Sequence, residues 1–187
     1  MDHRKLACAV SLAFAAPLAS VSALADSGVY IGGGIGSAKI EDSSGNPGAI
    51  ADFSETDAAW KGFVGYHFDV LPLIKFAAEV GYRDLGKPSG SVADVPIEYS
   101  VKGLDYGVLA GVGLGPVDLF ARVGGMQYDL KKSAGGVSND YDGTAPVYGI
   151  GVWFTVAGIG VRADYDKIDI DELDNAEMLS ISAFYKF

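Results

Sequence analysis

The sequence predicts an all-β fold, an eight-stranded antiparallel up-and-down transmembrane β-barrel. Three observations predict it. Beyond residue 25 the chain alternates with period two, in segments of about ten residues separated by polar loops. Mean hydropathy is +0.23 despite a net charge of −10, yet no run of about 18 apolar residues follows the first 25, so no spanning helix is expected. The alternation is also inverted. One face of every strand carries no charge, while the other collects charges together with many of the 26 glycines.

The strands are expected near 28–40, 58–68, 73–85, 99–114, 117–130, 145–155, 158–167 and 177–187. In the first, Val29, Ile31, Gly33 and Ile35 share the uncharged face; in the second, Trp60, Gly62, Val64, Tyr66 and Phe68 do. The third adds Ile74, Phe76, Ala78, Val80 and Tyr82, and the fourth runs from Leu104 through Tyr106 and Val108 to Leu114. Leu119, Ala121, Val123 and Gly125 continue it, followed by Tyr148, Ile150, Val152 and Phe154. Ile159, Val161, Ala163 and Tyr165, then Leu179, Ile181, Ala183, Tyr185 and Phe187, complete the set. The opposite parity holds Lys61, His67, Lys75, Glu79, Arg83, Asp105, Arg122, Arg162, Asp164 and Lys186, interleaved with glycine and serine.

A soluble sandwich turns its charged face to water, where glycines would weaken the strands for no gain. A membrane barrel turns the apolar face to lipid and fills a narrow lumen with the polar face, where small residues relieve crowding. Closure satisfies every backbone group, as hydrocarbon demands. Tyr66, Phe68, Tyr185 and Phe187 fall toward one rim, with Trp60, Tyr82, Tyr106, Tyr148 and Tyr165 nearer the other or in the band between. Connections near 69–72, 115–116 and 156–158 are short; those near 41–57, 86–98, 131–144 and 168–176 are long. Short periplasmic turns and longer external loops match an outer-membrane arrangement with both termini in the periplasm.

Residues 1–25 read as an export signal. Arg4 and Lys5 form a basic start, Leu6 to Val21 is apolar and small, and Ala23-Leu24-Ala25 fits the cleavage pattern before Asp26. The mature barrel domain is then expected to span 26–187. Cys8, the only cysteine, lies in the leader, so no disulfide or thiol chemistry is expected in the mature chain. A pI near 4.5 excludes nucleic acid as a partner, because phosphate binding needs a basic face.

The chain resembles the small outer-membrane β-barrel proteins, and among them the N-terminal transmembrane barrel of outer membrane protein A. The carrying segments are Gly65-Tyr66-His67-Phe68, the run from Phe76 through Glu79 and Tyr82 to Gly86, and Asp118 through Arg122 to Met126. Arg162-Ala163-Asp164-Tyr165 and the end from Met178 to Phe187 add to them. The resemblance implies localisation in the cell outer membrane and contact with its lipid and lipopolysaccharide. It implies that Tyr185 and Phe187 serve as the signal read by the barrel-assembly machinery, beside their physical role as rim anchors. Peptidoglycan anchoring, which the family's full-length members owe to a further domain, is not expected.

Glu79, Arg122, Arg162 and Asp164 point into the expected lumen, and the resemblance places Glu79 and Arg162 where the family's interior ion-pair network lies. Gly111 and Trp153 fall where two other partners of that network stand. Two readings follow: a structural plug that fills the barrel, or a narrow gated path. Acidic residues crowd the expected outer loops, with Asp42, Asp52, Glu55 and Asp57 in the first and Asp166, Asp169, Asp171, Glu172, Asp174 and Glu177 around the last. They lack the spacing of an EF-hand, and solvated loops explain them. His67 has no evident serine partner for hydrolysis, and the glycines at 32–34 and 36 lie inside a strand rather than opening a helix, so they cradle no phosphate. No metal, cofactor or catalytic residue is expected. The expected function is a non-enzymatic outer-membrane barrel that contributes to envelope integrity and meets host or environmental surfaces through its loops; the alternative is a narrow or gated small-solute or ion pore.

Overall fold

A computed structural model describes residues 27–42, 53–69, 73–92, 95–134, 137–171 and 173–187. The leader expected over residues 1–25, with Cys8 and the Ala25–Asp26 junction, lies outside the described residues, as do Asp52 and Glu172. The strands are β1 (Gly28–Asp42), β2 (Phe53–Asp69), β3 (Ile74–Asp84), β4 (Ser89–Val92), β5 (Val95–Leu114), β6 (Val117–Ala134), β7 (Val137–Val156), β8 (Ile159–Ile168) and β9 (Asn175–Lys186). Eight of them form the barrel. Antiparallel neighbours run β1–β2–β3–β5–β6–β7–β8–β9, and β9 pairs back onto β1 from Tyr30↔Lys186 to Glu41↔Asn175. β4 was not expected. It folds onto the far end of β5 as a small hairpin, Ser89↔Glu98 to Val92↔Val95.

The short-turn end is built by tight hairpins. Gly115 (φ 75°) precedes Pro116 between β5 and β6, and Ala157 (φ 50°) and Gly158 (φ 80°) join β7 to β8. Left-handed conformations in two-residue loops match the twist of the flanking strands. The first and last strands of the barrel meet here, where the Phe187 amide donates to the Val29 carbonyl at 2.9 Å.

Every residue placed on the uncharged parity faces outward in the band except Gly62 and Gly125, which are more covered. Gly125 has a reason. A Cβ there would come within 2.8 Å of the Tyr106 hydroxyl, whose ring lies across the strand. Gly65 serves the same purpose inside, where a Cβ would sit 2.4 Å from the Tyr30 ring. The aromatic girdles stand where expected. Trp60 and Tyr82 lie with ring centroids 5.7 Å apart at one rim, near the level of Tyr148 and Tyr165. Tyr66–Phe68 (4.6 Å) and Tyr185–Phe187 (4.9 Å) mark the other.

The long outer connections expected from sequence are largely strand. β2 begins at Phe53, β5 at Val95 and β7 at Val137, and β6 runs on to Ala134. The reason is a reversal of chemistry beyond the Trp60–Tyr148 girdle. On β8 the inward residues change from Arg162, Asp164 and Asp166 to Ile168, while the outward ones change from Val161, Ala163 and Tyr165 to Lys167. On β9 the inward Ser182 and Ser180 give way to Met178 and Ala176, and the outward Ile181 and Leu179 to Glu177. On β6 the outward Val123 is followed by Gln127 and Asp129, while Met126, Tyr128 and Leu130 turn in. The far half is therefore a water-exposed β-barrel with an apolar core stacked on the membrane barrel. β7 runs eleven residues past Tyr148, roughly 35 Å along the strand at about 3.3 Å per residue.

The two halves answer to different solvents, and substitutions should show it. Val108→Arg, at a lipid-facing site, is expected to cost about 2–4 kcal/mol. Thr144→Arg, outward but beyond the girdle, should stay within about 0.5 kcal/mol. Leu130→Ala, fully buried in the outer half, should cost about 2–5 kcal/mol, as in the core of a soluble protein. Urea titration in lipid vesicles measures all three.

Candidate functional site

The interior is filled in three layers set by strand register. Nearest the short turns is an aromatic layer of Tyr30, Phe63, Trp153 and Phe184, all buried. Trp153 packs against Tyr30 at 5.4 Å, Phe184 at 5.2 Å and Phe120 at 5.0 Å between ring centroids. Above it lies an ionic layer. The outermost layer, at the far end, is apolar: Ala38, Ile40, Val101, Leu130, Val147, Ile168, Ala176 and Met178, each at most 1% exposed. The β8–β9 connection bends over it and adds Ile170 and Leu173, held by amides of Asp169 to the Pro146 carbonyl and Asp174 to the Glu41 carbonyl, each at 3.0 Å.

The ionic layer joins the four residues expected from sequence. Arg162 on β8 pairs with Glu79 on β3, Nη2 reaching Oε2 at 3.3 Å and Nη1 closing on Oε1, while its Nε lies 2.9 Å from Asp164 Oδ2. β3 and β8 stand opposite each other in the closed sheet, so the Glu79–Arg162 pair braces the barrel across its diameter. Tyr30 donates its hydroxyl to Glu79 Oε1 at 2.7 Å, coupling the aromatic layer to the ionic one. The Arg162 guanidinium also lies 3.9 Å over the Phe63 ring.

Four more members complete it. Lys61 Nζ donates to Asp164 Oδ2 at 2.7 Å and lies 3.5 Å from Asp166 Oδ2. Arg83 bridges Asp166 (3.1 Å) and Asp105 (2.5 Å), and Arg122 reaches the same Asp105 oxygen at 2.5 Å. Four cations thus face four carboxylates, all at most 6% exposed. Burying charge is costly unless it is paired and hydrogen-bonded, and this set is neutral as a whole. Lys61, Arg83 and Asp105 carry the lumen parity in the sequence but were not assigned to the network. Asp166, expected among the outer-loop acids, instead lies in the lumen: it is 1% exposed and shares the face of Arg162 and Asp164. The two-residue step from 162 to 166 was the available signal.

Gly111 and Trp153 do not join the ionic layer; Trp153 lies in the aromatic one. His67 is buried beside it, its ring 5.9 Å from the Trp153 ring. Tyr185 and Phe187 face outward at the short-turn rim. Of the outer acids, Asp57 ties the β3–β4 segment to β2 by accepting from the Lys87 amide at 2.7 Å. Glu41 accepts from Lys39 Nζ at 2.5 Å and Asn175 Nδ2 at 3.1 Å. Those bonds, that from Lys39 foremost, hold the Glu41 carboxyl below the usual range.

The closed sheet, inverted faces and charged lumen define an outer-membrane β-barrel. Residues 6–187 match the model of the outer membrane protein beta-barrel domain, and the chain belongs to that family. Among solved structures it is similar to Neisserial surface protein A, at 14% identity and a TM-score of 0.61, covering 85% of this chain and 97% of that one. It is also similar to Ail, the attachment invasion locus protein of Yersinia pestis, solved with the heparin analogue sucrose octasulfate (16% identity, TM-score 0.55, coverage 86% and 99%). A third is the N-terminal β-barrel domain of Pseudomonas aeruginosa OprF (12% identity, TM-score 0.51, coverage 86% and 98%). No curated protein matches the chain. The family and these neighbours place the protein in the outer membrane.

The ionic layer can be dissected by a mutant cycle. Glu79→Ala and Arg162→Ala should each destabilise by about 3–5 kcal/mol, since each strands a buried charge. The double change should cost less than the sum by about 0.5–3 kcal/mol. Asp166→Asn should destabilise similarly to the single changes, whereas the loop acid Asp171→Asn should not. Equilibrium unfolding in vesicles reads all of these.

Proposed function

We propose that the protein is a non-enzymatic outer-membrane barrel that contributes to envelope integrity and meets external surfaces through its outer half. The observation that carries this is the filled lumen. A neutral ionic layer braced across the barrel lies beneath an apolar layer, and an ion crossing would have to strip its hydration shell to pass. This supports the plug over the gated path for the Glu79–Arg162 network. On this reading the export signal is removed after Ala25, and Tyr185 and Phe187 present the outward aromatic pair that the assembly machinery reads.

The described part of the outer half is strand around an apolar core, a continuous surface for contact. Its charge bears on its partner. Among the described residues, Glu41, Glu55, Asp57, Asp84, Glu98, Asp129, Asp140, Asp142, Asp169, Asp171, Asp174 and Glu177 stand beyond the girdle against Lys39, Lys87, Lys102, Lys131, Lys132 and Lys167. Ail is described in complex with a heparin analogue. An acidic surface repels such a polysulfate, so any ligand of this outer half is expected to be basic or neutral.

Planar-bilayer recording tests the reading. The purified protein should give no steady conductance, and Glu79→Ala should stay closed because the apolar layer above is intact. Steady ion-selective openings in the parent protein would promote the pore instead.

A further inference from the structure

Beyond the girdle one strand keeps a single neighbour. β6 follows β7 to its start, Ala134↔Val137, whereas β8 joins β7 only from Val147↔Ile168 to Val156↔Ile159. One bond falls on the β8 side of β7 past that junction, from the Asp169 amide to the Pro146 carbonyl at 3.0 Å. It fixes the direction of the backbone, because alternate residues of a strand turn their N–H and C=O to the same side. Ser138, Asp140, Asp142 and Thr144 therefore present theirs away from β6, and among the described residues no backbone group meets them. All four are exposed, and residues 137–142 are exposed on both faces. The open edge runs roughly 20 Å at about 3.3 Å per residue. An unpaired edge of that length is a ready template for another strand. Pro146 stands at its base, where it has no N–H to leave unpaired, but residues 138–144 contain neither proline nor lysine to blunt it.

The side chains along the edge select what it can take. On the outward face Asp142 lies directly opposite Asp129, and neither forms an ion pair among the described residues. Carboxylates set opposite each other destabilise a ladder. Two residues away, Asp140 lies 3.5 Å from Lys131 in an exposed pair. On the other face Tyr141 is 40% exposed and Val137 66%. We propose that the β7 edge from Ser138 to Thr144 takes up an extended segment of an external protein, one with basic residues at alternate positions and apolar residues between them. This deepens the surface-contact reading above and rests on it. Main-chain bonds to the four edge residues give the attachment, and alternate side chains give the choice of partner. A lysine or arginine opposite Asp142 offsets its repulsion from Asp129, and the apolar residue next to it lies beside Tyr141. A second copy of this chain does not fit, since its own edge would bring Asp140 and Asp142 against the same carboxylates.

A capped, fluorescein-labelled heptapeptide tests this: Thr-Val-Lys-Val-Lys-Val-Thr, N-methylated on its valines so that only one of its edges can bond. The protein is held in phosphatidylcholine nanodiscs, whose lipid has no net charge to attract the peptide. Anisotropy should show saturable binding, and exchange of the Asp140, Asp142 and Thr144 amides should slow at least tenfold in the complex. The isomer N-methylated on its lysines instead should not bind, nor should the peptide with glutamate in place of lysine. Asp140→Asn with Asp142→Asn should raise the dissociation constant at least fivefold. Asp140→Pro removes an edge N–H but no bond to β6, and should weaken binding at least tenfold beyond Asp140→Asn. Unchanged protection of the Leu130 and Val147 amides shows that the proline variant is folded. No saturable binding overturns the proposal, as does equal binding of the lysine-methylated isomer, which reduces the contact to charge alone. Binding that survives Asp140→Pro, with no slowed exchange along the edge, places the contact elsewhere on the outer half. The edge proposal then falls while the surface-contact reading stands, and the bilayer recording decides the plug independently.

Discussion

Everything in this molecule depends on the sheet closing on itself. Hydrocarbon offers no hydrogen-bond partner, so a strand edge exposed there would leave a row of unsatisfied amides and carbonyls. The β9–β1 pairing removes that edge, and β3 joins β5 directly because β4 is displaced to the outer end. Closure then sets the next problem. An eight-stranded barrel has an interior only wide enough for side chains, and whatever fills it loses contact with water. Glycines opposite large rings, such as Gly65 beneath Tyr30, let the aromatic layer fit. Charges fit only as a neutral set. The cross-barrel bridges of Arg162 to Glu79 and Arg83 to Asp166 therefore hold opposite walls together while neutralising what each wall contributes.

One sheet serves two solvents. In the band the outward face is Val, Ile, Leu and aromatic and the inward face is ionic; beyond the girdle the same strands carry lysine and carboxylate outward and bury Ile, Leu and Met. The change occurs without a break in pairing, since β6 and β7 stay in register from Val117↔Phe154 to Ala134↔Val137. An apolar interior in the outer half supplies stabilisation that a water-filled outer end would lack. It also fills the far end of the lumen above the ionic layer.

Period two made the faces legible from sequence, because a strand offers each residue only two sides. That is why the lipid-facing residues and the inward Glu79, Arg122, Arg162 and Asp164 were found. What failed was the assumption that polar stretches between apolar runs are loops. Residues 131–134 and 137–144 look polar because the far end of this hairpin is exposed on both faces, yet they continue the β6–β7 ladder. The same assumption assigned Asp166 to the loop acids, although its parity with Asp164 argued for the lumen. That Glu79 and Arg162 share one network follows from the family resemblance, not from the local pattern, and the partners of Lys61, Arg83 and Asp105 were not legible. Glu79 and Arg162 are 83 positions apart, and their meeting depends on strand order and stagger rather than on local pattern.

Backbone hydrogen exchange in lipid bilayers tests the central claim, that the outer half is a folded, apolar-cored continuation of the membrane barrel. Amides whose carbonyl partners lie across the outer ladder, such as those of Leu130 and Val147, should be protected to nearly the same degree as those of Val108 and Val123 in the band. Exchange of the outer set at rates typical of unstructured loops, with the band still protected, would contradict the account.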